Sequence, residues 1–440
     1  MNVATFVSTV FGHQLPFRVE AYDGSVAAPT VLSPANEVTV RILRREALTR
    51  VLTHPDELGV ARAYVAGDLD VEGDLDALFD LSVPPVTHLL KLNNLRSLLA
   101  VIGASALRPL APPSIEARQR GVLHSRARDS LAISHHYDVS NRFYEIVLGP
   151  SMTYSCAVFT SPDDSLEVAQ HRKVDLVARK LDLAPGVRLL DVGCGWGAMG
   201  IHAAREYGAR VVGVTLSEPQ QRYATAQAVL AGVDHLVEFR VQDFRDVNDG
   251  PFDAISSIGM SEHVGRRSLD PYAQCLFDLL RPGGRFLNHA IGRPVSFNED
   301  PDPSRASVTN RQMKIALGLR GPSRIGSPFI ERYVFPDGEL HEVGTMVTLF
   351  QSHGFEMRHL ESLREHYALT LRQWVANLTK NFDEAVEEVG AERARVWRLY
   401  MASSAVGFER HHLEIHQILC VRPAGGRSEM VLRPTFEPEF

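Results

Sequence analysis

Residues 189–197 read Leu-Leu-Asp-Val-Gly-Cys-Gly-Trp-Gly, an apolar run that leads directly into three glycines at alternate positions. Glycine permits a sharp backbone turn and lets a ligand approach the main chain without meeting a Cβ atom. Such a loop after a strand predicts a cofactor that lies across the carboxyl end of the strand, at the switch point of a parallel sheet. A tight strand-to-helix turn without a ligand is the alternative explanation of the same glycines.

The glycine spacing distinguishes this loop from the loops that bind nicotinamide nucleotides. It is G-x-G-x-G, whereas the dinucleotide fingerprint is G-x-G-x-x-G. Asp191 ends the strand, where a carboxylate can help to hold a cationic or hydroxylated cofactor. The D-x-G-x-G-x-G loop therefore resembles the S-adenosylmethionine motif of Rossmann-like methyltransferases.

Strand and helix patterns alternate on both sides of this loop. Repeated β-α units predict a mostly parallel sheet that is covered on both faces. Residues 198–207 have helical spacing, and a long helical stretch separates the last two strands. The predicted strands lie at residues 187–192, 209–216, 237–241, 252–258, 285–290, 357–363 and 413–421.

Three prolines mark a domain boundary. Residues 109–114 read Pro-Leu-Ala-Pro-Pro-Ser, which interrupts any regular element. A chain of 440 residues also exceeds the usual size of a single core. We predict a smaller amino-terminal α+β domain at residues 1–110, a basic linker at 111–128, a Rossmann-like class I α/β methyltransferase domain with helical insertions at 129–425, and a tail at 426–440.

Charge and composition exclude several classes of protein. The net charge is −7, which disfavours generic nucleic-acid binding. The longest nearly uncharged apolar run, residues 98–107, is much shorter than the roughly 18 residues that span a bilayer, and no signal peptide precedes it, so we expect a cytoplasmic protein. The absence of any C-x-x-C pair argues against a disulfide framework and predicts no metal site. The cysteines are Cys156, Cys194, Cys275 and Cys420.

Two stretches of the chain are strongly basic despite the negative net charge. Residues 88–128 contain seven cations and one acid, and residues 303–330 contain five cations and no acid. Lys and Arg beside apolar residues suit an anionic membrane surface, where each contributes about 1 kcal/mol. We therefore expect peripheral association with the inner face of the membrane. Two solvated basic loops are the alternative.

Further motifs identify a family. Residues 215–220 read Thr-Leu-Ser-Glu-Pro-Gln, a pattern unusual for methyltransferases at large. Together with this pattern, six motifs resemble signatures of cyclopropane-fatty-acyl-phospholipid synthases and mycolic acid cyclopropane synthases, in the same order. The segment 63–75 is more loosely similar to the acidic, glycine-rich part of the family's amino-terminal lipid-handling domain. The six motifs occupy residues 136–144, 152–156, 258–265, 288–292, 333–338 and 366–374.

The resemblance implies methyl transfer from S-adenosylmethionine to the double bond of an unsaturated phospholipid acyl chain. An isolated alkene is a weak nucleophile, so the methyl group must be held in line in a water-free pocket. The carbocation that results needs a base. In the family this base is a bound bicarbonate-like anion, and the positions corresponding to its holders are Cys156, Glu262, His289, Ile291 and Tyr367. For each of these residues considered alone, a role in packing is the alternative explanation.

The resemblance also assigns the cofactor contacts. Tyr154 and Ser155 are expected beside the methionine end of the cofactor. At the adenine end, Asp243 and Phe244 are expected, with Asp246 as the alternative. Cys194 is interpreted as a small residue that fills space in the loop. The expected cofactor-binding residues are Tyr154, Ser155, Asp191, Gly193, Gly195, Thr215, Leu216, Gln220, Asp243 and Phe244.

Two departures from the family pattern bear on the product. Residues 339–342 read Glu-Leu-His-Glu where cyclopropane synthases usually have a Pro-Ser pair. Tyr22-Asp23-Gly24 resembles actinobacterial relatives that convert oleoyl phospholipid to a 10-methylene acyl chain and work beside a flavoprotein reductase. We therefore expect the 10-methylene product, with a cyclopropane as the alternative. A plain hairpin turn also explains Asp23-Gly24.

Two other functions remain as alternatives. An O- or N-methyltransferase for small molecules would need a general base beside a polar acceptor pocket, and it would leave the acid-free basic stretch unexplained. A lipid-binding module with a degenerate cofactor site conflicts with the intact glycine loop. The sequence leaves a homo-oligomer open.

Overall fold

A computed structural model describes residues 1–54, 56–79, 81, 103, 108–117, 125, 128, 137, 139–294 and 327–437. Half of the predicted basic linker, and most of the two basic stretches predicted to contact a membrane, lie outside these residues. None of the helices in the described part of the chain combines the length and hydrophobicity of a membrane span.

The elements are numbered along the chain. The helices are α1 (Val3–Val10), α2 (Arg45–Thr53), α3 (Glu57–Val65), α4 (Asp76–Phe79), α5 (Asn141–Leu148), α6 (Leu166–Lys180), α7 (Ala198–Tyr207), α8 (Glu218–Leu230), α9 (Leu269–Leu279), α10 (Pro328–Tyr333), α11 (Val343–Ser352), α12 (Arg364–Lys380), α13 (Phe382–Val389) and α14 (Ala391–Glu409). The strands are β1 (Arg18–Ala21), β2 (Val26–Ala27), β3 (Thr39–Ile42), β4 (Leu69–Glu72), β5 (Arg188–Val192), β6 (Arg210–Thr215), β7 (Val237–Val241), β8 (Phe252–Ile258), β9 (Leu280–Gly292), β10 (Glu356–Ser362) and β11 (Glu414–Val421). Short 3-10 helices lie at Pro34–Glu37, Phe244–Asp246, Ser261–His263 and Arg266–Ser268.

The chain divides into two compact units. The first contains Met1–Arg118 together with two later segments, Ser327–Val334 and Asn381–Val406. The second contains Gln119–Gly326, Phe335–Lys380 and Gly407–Phe440. The predicted domain bounds, with a boundary near residues 110–125, stay a prediction.

The first unit contains a four-stranded sheet in the order β2-β1-β3-β4, in which β1 and β3 run parallel. The Glu116 carboxylate connects separate segments of this unit. It accepts hydrogen bonds from Arg62 on α3 at 2.6 and 2.8 Å, and from Arg332 and Tyr333 at 2.8 and 2.9 Å. Burial alone would raise the pKa of Glu116, but the bonds from Arg62 and Tyr333 outweigh it and hold the pKa below its usual value. Within the first unit, a buried charge network thereby links the segment Ser327–Val334 to α3.

Asp23 and Gly24 form the turn between β1 and β2. The Asp23 carboxylate accepts from the backbone N–H groups of Val3 and Ser25 at 2.9 and 3.0 Å, and Gly24 has a φ of +77°. Glycine adopts such a φ without steric cost. The pair therefore has a local structural role, and it gives no support to either product.

The second unit contains a seven-stranded sheet in the order β10-β11-β9-β8-β5-β6-β7. Strands β9, β8, β5, β6 and β7 run parallel to one another. Strand β11 pairs antiparallel with both β9 and β10. Two buried apolar clusters pack around this sheet, one containing Phe252, Phe286 and Phe350, the other Leu189 and Leu419. The predicted α/β class with a mostly parallel sheet is confirmed. Strand β9 is longer than predicted, because it pairs with both β8 and β11.

Candidate active site

A cavity of about 290 Å³ opens in the second unit where β5, β6 and β8 end. Parallel strands bring their carboxyl ends to one edge of the sheet, and a ligand site at this edge is typical of open α/β sheets. All ten residues that the sequence assigned to cofactor binding line this cavity. They are Tyr154, Ser155, Asp191, Gly193, Gly195, Thr215, Leu216, Gln220, Asp243 and Phe244.

The glycine loop turns the chain from β5 into α7. The backbone N–H groups of Gly193 and Cys194 both donate to the Val214 carbonyl, at 2.9 and 3.0 Å, which fixes the loop against β6. Gly197 has a φ of +87°, and a Cβ there would lie 2.7 Å from the Phe239 ring. Cys194 is buried in an apolar cluster, and burial raises the pKa of its thiol well above the usual value. Its environment fits the predicted filler and not a nucleophile.

Asp191 brings an unused acceptor to the cavity. Its Oδ1 accepts from the Ser256 hydroxyl at 2.7 Å, whereas its Oδ2 is buried without a hydrogen-bond partner among the described residues. Burial raises the pKa of Asp191 to about 6, against the lowering effects of Ser256 and Lys173. An ammonium or hydroxyl group of a ligand would satisfy this oxygen.

Lys173 on α6 is a cavity residue that the motif analysis missed. Its side chain is 1% exposed, and its Nζ donates to the Ser155 hydroxyl at 2.8 Å. Burial lowers the pKa of Lys173 to about 8, while Cys156 and Asp191 act to raise it. Helical spacing was the available signal, because Lys173 lies on the same buried face of α6 as Gln170.

The segment after β6 is ordered by its own side chains. The Thr215 hydroxyl donates to Gln220 Oε1 at 2.8 Å and accepts from the Ser217 backbone N–H at 3.2 Å. Ser217 in turn caps α8, because its hydroxyl accepts from the Gln220 N–H at 3.3 Å. These bonds explain why the unusual pattern at residues 215–220 needs those residue types.

The opposite end of the cavity contains Asp243 and Phe244. The Asp243 carboxylate is paired with Arg245 at 2.5 Å, and the Phe244 ring packs against Tyr272 with centroids 5.5 Å apart. Asp246, the alternative considered for this position, is described but does not line the cavity.

Two of the five predicted anion holders, Glu262 and Ile291, are in contact where β8 and β9 end, and a third, His289, precedes Ile291 on β9. Glu262 Oε1 accepts from the Ile291 backbone N–H at 2.7 Å, while its Oε2 is buried without a partner among the described residues. Burial raises the pKa of Glu262 to about 7, against the bond from Ile291. His289 lies two residues before Ile291 on β9 and is 1% exposed.

Cys156 and Tyr367 form a second group. Both contact the Leu363 carbonyl oxygen, which lies 3.6 Å from Cys156 Sγ and 3.1 Å from the Tyr367 backbone nitrogen. Burial raises the pKa of the Cys156 thiol, so the thiol stays protonated. The Trp374 ring lies between this group and the cavity, with its centroid 6.0 Å from that of Tyr367 and 5.2 Å from that of Tyr154.

All five predicted anion holders belong to this unit, and Cys156, Glu262, His289 and Tyr367 are buried. Lys173 relates the two groups electrostatically, since its charge affects the pKa of both Cys156 and His289.

The first family motif lies partly outside the described residues, because His136 and Asp138 are not described. Tyr137 does line the cavity, and Asn141 Oδ1 accepts from the Trp196 indole N–H at 2.9 Å.

Comparison with known proteins gives a consistent result. Residues 124–418 match the family model for mycolic acid cyclopropane synthetase. A probable fatty acid methyltransferase of Mycobacterium tuberculosis is 43% identical over 446 residues, which cover 97% of this chain and 96% of the relative. The tuberculostearic acid methyltransferase of the same organism is 32% identical over 418 residues, covering 93% and 88%. A crystal structure of a mycolic acid cyclopropane synthase complexed with SAH and CTAB superposes with a TM-score of 0.59 at 30% identity, covering 66% of this chain and 97% of that one.

The cavity predicts a specific effect of replacing Asp191 by Asn. Loss of the charged acceptor should weaken the affinity for S-adenosylhomocysteine by about 10- to 100-fold. Affinity of the unmodified protein should also fall as the pH drops through about 6, because Asp191 is then protonated, and the variant should lack this dependence. Calorimetric titration measures both effects. Asp246→Asn is the control and should bind normally, whereas unchanged binding by Asp191→Asn would contradict the assignment.

Proposed function

The chain belongs to the mycolic acid cyclopropane synthetase family and is an S-adenosylmethionine-dependent fatty acid methyltransferase, and we propose that it forms a 10-methylene branch on the double bond of a phospholipid acyl chain. The observation that carries this proposal is a buried carboxyl, Glu262, with a pKa near 7 and one unpartnered oxygen, whose other oxygen accepts from the N–H of Ile291, two residues after His289 on β9.

The cofactor supplies an electrophilic methyl group on a sulfonium. The chain must orient this group and exclude water, because an alkene competes poorly with water as a nucleophile. Asp191 and the hydrogen-bonded pair of Lys173 and Ser155 line the cavity and would orient the methionine end. The aromatic residues Tyr154 and Trp196 also line the cavity, and their rings would help to exclude water.

Methyl transfer to the alkene leaves a carbocation, from which a proton must be removed. We propose that Glu262 and His289 hold a bicarbonate-like anion as the base, with Cys156, Ile291 and Tyr367 completing the site. Burial of two polar atoms without partners, Glu262 Oε2 and His289 Nε2, is consistent with a small polar ligand between these side chains. A pKa near 7 lets Glu262 accept the released proton and return it at neutral pH.

Both products lose a proton from the transferred methyl group. A cyclopropane closes directly onto the adjacent cationic carbon, whereas a methylene forms only after a 1,2-hydride shift has moved the charge to the methylated carbon. Residues 339–342, which depart from the family pattern, pack against the Glu262 loop. The Glu339 N–H donates to the Glu262 carbonyl at 2.9 Å, and the Glu339 carboxylate accepts from the Arg266 N–H at 2.6 Å. This segment is therefore placed to shift the loop that holds Glu262. Similarity to a methyltransferase named for tuberculostearic acid also favours a branch. A cyclopropane remains the second candidate, favoured by the crystal structure that is similar to this chain.

The proposed substrate and product imply two partners. An acyl chain of a phospholipid has to be reached from an anionic membrane surface, which the two basic stretches at residues 88–128 and 303–330 would contact. A methylene branch is a substrate for reduction, so a flavoprotein reductase is the partner that would consume this product.

Lipid analysis tests the function directly. Expression in a bacterium with monounsaturated phospholipids should convert part of the acyl chains to a species one CH2 heavier. The two candidate products have the same mass, but ozonolysis cleaves a methylene branch to a ketone and leaves a cyclopropane intact. We expect the ketone. Recovery of an intact ring would favour the cyclopropane, and methyl transfer to a soluble small molecule alone would reject both.

Glu262→Gln should separate proton removal from cofactor binding. The amide keeps the size of the side chain but cannot accept a proton, so turnover should fall by about 100-fold or more. Affinity for S-adenosylhomocysteine should stay within a few-fold, because Glu262 does not line the cofactor cavity. Radiolabelled methyl transfer to phospholipid vesicles and calorimetry give the two quantities. Parallel loss of turnover and cofactor affinity would refute the role assigned to Glu262.

A further inference from the structure

A buried line of hydrogen bonds runs behind His289. The Lys180 ammonium on α6 is paired with Glu361 and donates to Gln417 Oε1 at 2.7 Å. The Gln417 Nε2 lies 3.0 Å from His289 Nδ1, and the two residues are register partners on β11 and β9. Gln417 is fully buried and His289 is 1% exposed, so water does not compete for these bonds.

The lysine determines how the amide of Gln417 is oriented. An ammonium group has three donors and no acceptor, so it must face the amide oxygen. The NH2 group of Gln417 then faces His289 and can only donate. The opposite orientation would set the NH2 group against the ammonium and the amide oxygen against a nitrogen that would have to carry a proton.

This orientation fixes the position of the proton on His289. Because Nδ1 accepts from Gln417, the proton of a neutral imidazole resides on Nε2. The surroundings keep the ring neutral: burial lowers the pKa of His289 well below its usual value, and so do Lys173 and Lys180 on α6 and His416 on β11. The Nε2–H is buried without a partner among the described residues, next to the proposed anion site.

We propose that Lys180 and Gln417 are positioning residues that hold His289 as a neutral hydrogen-bond donor through Nε2. Resting on the proposed function, this means that His289 binds the anion and is not the base. Neither nitrogen of His289 can accept the released proton, because Nδ1 accepts from the Gln417 amide and Nε2 already carries a proton. The proton released from the acyl cation therefore passes to the anion and to Glu262.

Gln417→Glu tests the proposal with an isosteric change. The carboxylate keeps its bond to Lys180, which preserves the packing, but it accepts from His289 and draws the proton to Nδ1. Nε2 then loses its proton and can no longer donate to the anion. Turnover should fall on the order of 100-fold, the effect of losing one donor to an oxyanion, with unchanged affinity for S-adenosylhomocysteine. The acid limb of the pH profile should move to higher pH, because the new carboxylate raises the pKa of His289.

Nitrogen-15 NMR of histidine-labelled protein reads the tautomer without any turnover. We expect protonated Nε2 on His289 in the unmodified protein and protonated Nδ1 in Gln417→Glu. A signal for protonated Nδ1 in the unmodified protein would overturn the proposal even if the enzyme methylates phospholipid. Absence of methylation by the unmodified protein would instead refute the proposed function and leave the tautomer result standing.

A second cluster, on α6 and α7, lies away from the cavity. His171 and Asp175 are four residues apart on α6, and His202 and Glu206 are four residues apart on α7, so each pair lies on one helix face. One ligand atom each from His171, His202 and Glu206 lie within 4.8 Å of one another. None of these three residues lines the cofactor cavity.

His202 contributes the second observation. It is 4% exposed, and its Nε2 has no hydrogen-bond partner among the described residues, with Asp175 Oδ1 at 3.6 Å beyond bonding distance. A buried imidazole nitrogen without a partner is costly unless something binds to it.

We infer, independently of the proposed function, that His171, His202 and Glu206 bind a divalent transition metal, with zinc the best match. Two imidazoles and a carboxylate are typical zinc ligands, with Zn–N distances of about 2.0–2.1 Å. His171 and Glu206 are exposed and can rotate inward to reach such distances. The prediction of no metal site came from the cysteine spacing, whereas His171 and His202 are 31 residues apart on two helices, so no local spacing connects them. Bound zinc would fasten α6, which carries Lys173 and Lys180, to α7.

Calorimetric titration of the untagged full chain with zinc chloride tests this site. We expect one bound equivalent and a higher melting temperature in its presence. His171→Ala and Glu206→Gln change exposed side chains, should fold normally, and should weaken binding by at least about 10-fold. His235→Ala, an exposed histidine elsewhere, should bind as before. No saturable binding, or equal binding by all variants, would overturn the inference.

Discussion

The Lys173 ammonium is a buried positive charge on which the geometry of the site depends. Removing an ion from water costs several kcal/mol, so a buried lysine persists only where surrounding groups compensate it. Here the compensation comes from the Ser155 hydroxyl and from the field of Asp191. These contacts fix α6 against the ends of the strands, and Lys173 also influences His289 on the far side of the site. The charge of Lys173 therefore acts both in the cofactor cavity and on His289 of the proposed anion site.

Burial shifts Asp191, Glu262 and Lys173 toward their neutral forms. The pKa of Asp191 rises to about 6 and that of Glu262 to about 7, while that of Lys173 falls to about 8. Asp191, Glu262 and Lys173 can therefore gain or lose a proton near neutral pH, whereas the groups of a surface ion pair stay charged. A reaction that begins with a sulfonium and passes through a carbocation needs this property, because the positive charge moves while water stays excluded.

Local patterns predicted the glycine loop and the order of strands and helices, because each depends on spacing within a short segment. The family resemblance supplied the ten expected cofactor residues, all of which line the cavity. Contacts between distant segments were not predictable in this way. Gln417 and His289 meet across two strands that are 128 residues apart in sequence, and Lys180 reaches Gln417 over 237 residues. The return of residues 327–334 to the first unit likewise depends on Glu116, a bond partner that no local pattern reveals.

In the proposed mechanism, control of the product depends on how rigidly Glu262, a holder of the anion, is positioned. Glu262 is fixed from two sides, by the Ile291 N–H on its carboxylate and by the Glu339 N–H on its carbonyl. If His289 is a donor and not a base, the site has a single direction in which a proton can leave. Ring closure and methylene formation then differ in whether a 1,2-hydride shift moves the charge to the methylated carbon before the methyl group loses its proton. Residues 339–342, which bond to the Glu262 loop, are the part of the chain through which the proposed site would influence that choice.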